Sequence, residues 1–247
     1  MKLRFETDTG PGEKAALGLI VLRADETIES EFRSLFDRDG VALYHTRIES
    51  APQVTPETLM QMKSGLAGAA ALLPSNRPLD AVAYACTSGA TMIGPDAVTD
   101  AIRRVHPQAQ ATNPASAVAA ALKQLKVARV GVVSPYVASV SDAVCAFLKE
   151  NGLDPVTVGS FDQGEEAVVA RIALASVEEA ICRVGSDPEV EAVFASCTNL
   201  RTFKVIEACE QRLGKPVISS NLALAWHMMV LAGLPWKSAG PGRLFHA

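Results

Sequence analysis

Short apolar runs alternate along the chain with longer stretches whose apolar residues recur every three or four positions. The runs predict strands at 17–22, 41–46, 81–85, 109–111, 129–133, 155–158, 192–195 and 217–218. The stretches between them predict helices at 28–36, 56–73, 95–105, 115–125, 138–150, 165–183, 202–213 and 222–231. A run that is apolar throughout fits a strand covered on both faces. Strict strand–helix alternation therefore predicts an α/β fold with parallel sheets and right-handed crossovers.

The pattern also repeats. Asp80-Ala-Val-Ala-Tyr-Ala-Cys86-Thr87 matches Glu191-Ala-Val-Phe-Ala-Ser-Cys197-Thr198, and the two cysteines stand 111 residues apart. Gly18-Leu-Ile-Val and Gly131-Val-Val-Ser form a looser pair at nearly the same offset. Two similar Rossmann-like lobes are expected, related by a pseudo-twofold axis with the active site in the cleft between them. Residues 1–125 form the first lobe and 126–219 the second, and a C-terminal helix, 220–247, packs back on the first.

Composition narrows the function classes. The chain has 247 residues, 49% of them hydrophobic and 20% charged, with a net charge of −4. That balance gives no basic surface for a nucleic-acid partner. Residues 1–14 are polar rather than signal-like, and the longest mostly apolar stretch, 222–236, is broken by His227 and Pro235. A soluble, cytoplasmic protein without a membrane partner is expected, and a homo-oligomer remains open. The five cysteines are odd in number and lack zinc-ligand spacing, so neither a disulfide framework nor a metal site is expected. No P-loop or dinucleotide fingerprint appears, so no cofactor is expected.

The paired cysteines carry the candidate chemistry. Each follows an apolar strand, where open parallel sheets bind their ligands. Each precedes small polar residues, Thr87-Ser88-Gly89 or Thr198-Asn199, in a turn expected to lead to a helix. Backbone N–H groups there are expected to favour thiolate and to bind carboxylate. Two sulfurs on opposite sides of one cleft can attack or deprotonate a carbon on one face and protonate it on the other. The bland reading is a buried core cysteine, which fits Cys145, Cys182 and Cys209 inside helical stretches. It fits Cys86 and Cys197 poorly, because core cysteines have no reason to recur at matched strand ends.

Ala85-Cys86-Thr87-Ser88-Gly89 and Ser196-Cys197-Thr198-Asn199-Leu200-Arg201 resemble the paired motifs of the aspartate/glutamate racemase superfamily, most closely its maleate isomerase and arylmalonate decarboxylase branch. Gly18-Leu-Ile-Val-Leu and Val133-Ser134-Pro135-Tyr136 look like that branch too, and Leu22-Arg-Ala-Asp-Glu-Thr-Ile-Glu29 is similar to its ectoine-utilisation members. The resemblance implies a cofactor-independent isomerase or racemase acting on a small carboxylate substrate. It makes Cys86 the nucleophile, as in the succinyl-cysteine chemistry of maleate isomerase, and Cys197 the proton donor and acceptor. It puts Asp25, Thr87, Ser88, Tyr136, Gln163, Thr198 and Asn199 at substrate-binding positions. Arylmalonate decarboxylases keep only the second cysteine, so the pair argues against a plain decarboxylase. Maleate isomerases carry Asn where Asp25 stands. A carboxylate there repels a second carboxylate on the ligand and suits an ammonium or hydroxyl group.

Several residues keep two readings. Asp25 and Glu26 fit a helix cap and first turn as well as a ligand role. Asn113 and Asn221 fit caps, Arg201 fits a solvated helix start, and no histidine adjoins a cysteine motif. A decarboxylase or dehydratase using mainly Cys197 is the rival within enzymes. A small-ligand binding protein is the rival from another class.

Overall fold

The computed structural model describes residues 1–247. Eight strands are present: β1 (Ala15–Leu22), β2 (Val41–Ile48), β3 (Ala81–Ala85), β4 (Gln110–Thr112), β5 (Arg129–Tyr136), β6 (Asp154–Gln163), β7 (Ala192–Ala195) and β8 (Val217–Ser219). They form two four-stranded parallel sheets, ordered β2-β1-β3-β4 and β6-β5-β7-β8. The second order is the first one repeated, as the internal repeat of the sequence requires. The central strands β1, β3 and β7 are wholly buried, which explains why they read as unbroken apolar runs.

Gly18 and Gly131, the looser repeat pair, sit at matching places in β1 and β5. A Cβ at Gly18 would come within 2.6 Å of Leu73, and one at Gly131 within 2.6 Å of Val184. Both glycines let the covering layer close on the sheet.

The helices are α1 (Ile28–Phe36), α2 (Pro56–Gln61), α3 (Leu66–Ala70), α4 (Thr87–Ile93), α5 (Pro95–Arg103), α6 (Pro114–Gln124), α7 (Ala138–Glu150), α8 (Glu166–Val169), α9 (Leu174–Gly185), α10 (Phe203–Leu213) and α11 (Ser220–Leu231). Three expectations need correction. The single helix expected over 56–73 is α2 and α3 joined by a 3-10 turn at Met62–Gly65. The helix expected over 165–183 is split into α8 and α9. The C-terminal helix ends at Leu231 rather than 247: Gly233 turns the chain at a φ of 66°, and a 3-10 turn at Arg243–His246 follows.

α11 leaves β8 of the second sheet and lies against α6 and α1 of the first lobe, where His227 Nδ1 meets Thr112 Oγ1 at 2.8 Å. Residues 125–128 join α6 to β5 between the lobes. No helix is long and apolar enough to cross a membrane.

Candidate active site

Both cysteines sit at the carboxyl ends of matching strands. Cys86 follows β3 directly and is the N-cap of α4, with Sγ accepting the Gly89 N–H at 3.2 Å. The fit is tight: a Cβ on Gly89 would stand 2.9 Å from Cys86 Sγ and collide with the Tyr84 hydroxyl. Cys197 follows Ser196 after β7, and its Sγ accepts the Asn199 N–H at 3.2 Å. Its turn does not open a helix at once, since α10 begins only at Phe203.

The two lobes interlock here. Thr198 Oγ1, beside Cys197, donates to the carbonyl of Ala85, beside Cys86, at 3.3 Å. Asn221 Nδ2 donates to Thr198 O, and Glu31 of α1 accepts the Thr202 and Phe203 N–H groups that open α10. Gln53 of the first lobe pairs antiparallel with Glu165 of the second, next to Glu166. Val54 N donates to Gly164 O at 2.8 Å, and Glu166 N to Pro52 O at 3.1 Å. Cys86 is 6% exposed and Cys197 3%. The open surface clefts lined by Thr157 and Arg183, or by Glu31 and Phe203, reach neither sulfur.

A residue that sequence reasoning passed over joins this cluster. Glu166, the first residue of α8, is buried. Its Oε1 accepts the Tyr136 hydroxyl at 2.8 Å, and its Oε2 accepts Asn199 Nδ2 at 2.8 Å. Tyr136 Oη also lies 3.1 Å from Cys197 Sγ. Either atom of that contact can be the donor; with Glu166 ionised, the one proton of the phenol goes to Glu166 and the Cys197 thiol donates to Tyr136. The result is a directed chain, Cys197 S–H to Tyr136 O–H to Glu166 carboxylate. Burial, then Cys197 and Glu166, push the Tyr136 phenol well above its ordinary value, so it keeps its proton.

Asp25 lies in the β1–α1 loop. Its Oδ1 accepts the N–H groups of Thr27 and Ile28 at 2.8 and 2.9 Å, as a helix cap does. Its Oδ2 is buried without a hydrogen-bond partner. The Thr198 hydroxyl stands beside this carboxyl, but the geometry gives its proton to Ala85 O.

The expected thiolates need correction. Burial is the largest effect and lifts the Cys86 thiol to about 12, with the charge of Glu166 adding to it and the Gly89 N–H opposing. Burial and Glu166 likewise lift Cys197 well above the ordinary range, against the hydroxyl of Tyr136 and the N–H of Asn199. One N–H per sulfur does not offset the loss of water and two nearby carboxylates. Both thiols are therefore neutral at rest. Burial also raises Asp25 and Glu166 above the usual carboxylate range, although each accepts two hydrogen bonds.

The other sequence candidates divide. Ser88 is buried in the first turn of α4. Thr87 Oγ1 is spent on Ser220 Oγ at 2.7 Å. Asn199 is spent as a strut, since its side chain accepts Glu26 N–H and donates to Glu166 and to the Ala24 carbonyl. Gln163 ends β6, where Nε2 donates to the Phe161 carbonyl. It pairs in register with Tyr136, whose hydroxyl meets Cys197 Sγ.

The family model for arylmalonate decarboxylase matches residues 17–245. The chain belongs to the arylmalonate decarboxylase family. It is 34% identical to an arylmalonate decarboxylase of Bordetella bronchiseptica over 136 residues, which cover 54% of this chain and 57% of that enzyme. It is 26% identical to a maleate isomerase of Nocardia farcinica over 92% of this chain and 94% of that one. Among solved structures it resembles a cysteine-to-serine mutant of the Nocardia farcinica maleate cis-trans isomerase that holds a covalent succinylcysteine intermediate. The TM-score is 0.83 at 24% identity, covering 94% of this chain and 98% of that one, a likeness of fold. The family therefore contains both isomerases and decarboxylases.

Proposed function

We propose that this family member is a two-cysteine isomerase or racemase of a small carboxylic acid, working without a cofactor. The observation that carries the reading is the closeness of the two strand ends: Thr198, beside Cys197, hydrogen-bonds the carbonyl of Ala85, beside Cys86, at 3.3 Å, and the buried Tyr136–Glu166 pair stands against Cys197. The charge of Glu166 bears on both sulfurs, and Tyr136 feels both.

In this reading Cys197 gives its proton to Tyr136 Oη as Tyr136 gives its own to Glu166 Oε1. Each proton moves across one hydrogen bond, leaving a thiolate on Cys197, a neutral phenol and a protonated Glu166. The thiolate takes a proton from the substrate carbon, and Cys86 S–H delivers one to the opposite face. In the reverse direction the cysteines exchange roles. For an isomerisation across a double bond, Cys86 instead adds to the carbon as nucleophile, and Cys197 supplies the proton. The presence of succinylcysteine in the Nocardia relative supports a covalent cysteine step in this family. Substrate reaches the sulfurs when the 52–54 and 164–166 segments part.

The match to the arylmalonate decarboxylase model favours one second reading, a decarboxylation that uses Cys197 alone. Cys86→Ala separates the two. The two-cysteine scheme requires loss of turnover and, with an unsaturated substrate, a mass-shifted adduct on Cys86 in the parent protein. Full turnover by Cys86→Ala would establish the decarboxylase reading instead.

A further inference from the structure

We propose that Asp25 and Glu166 receive a cationic group on the substrate, so that this site takes a carboxylic acid bearing an ammonium group and rejects dicarboxylates. The inference rests on the two-cysteine reading for the location of the reacting carbon.

Two carboxylates are buried beside the sulfurs, Asp25 at 3% exposure and Glu166 at 4%. Each bears electrostatically on both thiols, and Asp25 bears on Glu166, so all four groups share one neighbourhood. No salt bridge forms with either carboxylate, and the charge of Arg47, which does reach Asp25, is the smallest of the effects on it. The three arginines nearest these loops are engaged at the rim. Arg47 donates to the backbone carbonyls of Leu22, Arg23 and Asp25 and to Glu29. Arg171 pairs with Glu26, and Arg201 reaches the Ile172 carbonyl. Buried charge without a partner is among the costliest features a fold can carry.

The second observation is an unused acceptor. Both oxygens of Glu166 and Oδ1 of Asp25 have donors, but Asp25 Oδ2 is fully enclosed with none. The donor beside it is the Thr198 hydroxyl, which is turned to the Ala85 carbonyl, so a donor on the ligand can fill this place. Tyr136 and Asn199 already hold the acceptors they reach, which leaves the carboxylates to set the sign of the pocket. A ligand with a second carboxylate would add a further negative charge beside two others. An ammonium group supplies both the donor and the counter-charge. The Tyr136 relay moves negative charge from Glu166 to Cys197 without changing the total, so the cation remains compensated through the proton transfer. It also lowers the cost of forming the thiolate.

The test is competitive binding to the full-length protein, followed by titration calorimetry. Alanine, 2-aminobutyrate and 2,3-diaminopropionate of both hands are compared with maleate, succinate and methylmalonate, and α-proton exchange in D₂O is recorded in parallel. The expected result is at least tenfold tighter binding of the best ammonium-bearing acid than of any dicarboxylate, with Asp25→Asn narrowing that ratio. Tighter binding of a dicarboxylate to the parent protein, or no binding by any ammonium-bearing acid, overturns the inference without any use of the variant. Ammonium acids that bind but exchange no proton would uphold it while refuting the cysteine chemistry. Dicarboxylates that bind best and exchange would do the reverse.

Discussion

Replacing Glu166 by Gln keeps the shape of the side chain and removes its charge. Glu166 Oε1 and Cys197 Sγ both hydrogen-bond to Tyr136 Oη, at 2.8 and 3.1 Å. The carboxylate and the sulfur are thus at most ~6 Å apart, and at an effective dielectric constant of ~20 two unit charges at that distance interact by about 3 kcal/mol. That equals ~2 pKa units on the thiol. In Glu166→Gln the Cys197 thiol should ionise ~2 units lower, so its alkylation by iodoacetamide at a fixed pH should rise about 100-fold. Turnover should move the other way, falling about 100-fold or more, because an amide cannot accept the Tyr136 proton. The assay is per-cysteine labelling followed by peptide mass spectrometry from pH 6 to 10, beside turnover of a substrate identified by D₂O exchange. Sulfur that becomes more reactive while the enzyme slows is the signature of a carboxylate that both suppresses the thiolate and receives its proton. Unchanged labelling, or turnover at the parent rate, would refute the relay.

Gly89→Ala should destabilise the fold by about 1–3 kcal/mol, as overpacking does, since its Cβ would press on Cys86 Sγ at 2.9 Å. A urea midpoint equal to the parent's would contradict that contact. Cysteines placed at Gln53 and Glu165, which pair antiparallel between the two lobes, should form a disulfide that stops turnover until it is reduced. Turnover by the oxidised form would show that substrate enters elsewhere. The pH dependence of stability follows from four buried carboxyls. Burial raises Asp25, Glu31, Glu166 and Glu210 above the usual range. The folded state therefore holds protons that the unfolded chain releases near pH ~4. This contribution is complete below that pH and is lost as pH rises through the raised values. Exposed carboxyls shifted downward, such as Glu26 and Glu191, oppose it weakly. His45 and His227, which burial shifts downward, act in the opposite sense between pH 5 and 8, so the test is a variant: Glu210→Gln should reduce the loss of melting temperature as pH rises from 5 to 8, and an unchanged pH slope would contradict the assignment.

The alternation of apolar runs and amphipathic stretches was enough to read the two parallel α/β halves, because strands buried on both faces leave an unambiguous pattern. The repeat around Cys86 and Cys197 was legible for the same reason: matched strand ends in matched sheets carry matched residues. What the sequence concealed depends on tertiary contacts. Glu165 and Glu166 are adjacent identical residues at a helix start, and only the turn of α8 exposes one and buries the other. The capping alternative for Asp25 describes one of its oxygens, while the other is buried without a partner; a one-dimensional reading forces a choice between roles that a carboxylate can hold together. Thr87, Thr198 and Asn199 lie next to the cysteines in the chain, and their side-chain donors serve Ser220, Ala85 and Glu166, contacts between residues far apart in sequence. The thiol ionisation was misjudged because local N–H donors are visible in a motif and the depth of burial is not.

The stereochemistry of deuterium entry in the single-cysteine variants is the most direct trial of the account. Once a substrate with a stereogenic α-carbon is found, Cys86→Ala and Cys197→Ala are each incubated with both enantiomers in D₂O. The account predicts that neither variant interconverts the enantiomers, and that each washes deuterium into one enantiomer only, opposite hands for the two variants. A single variant that exchanges both hands, or both variants selecting the same hand, would contradict the approach of two sulfurs to one carbon from opposite faces.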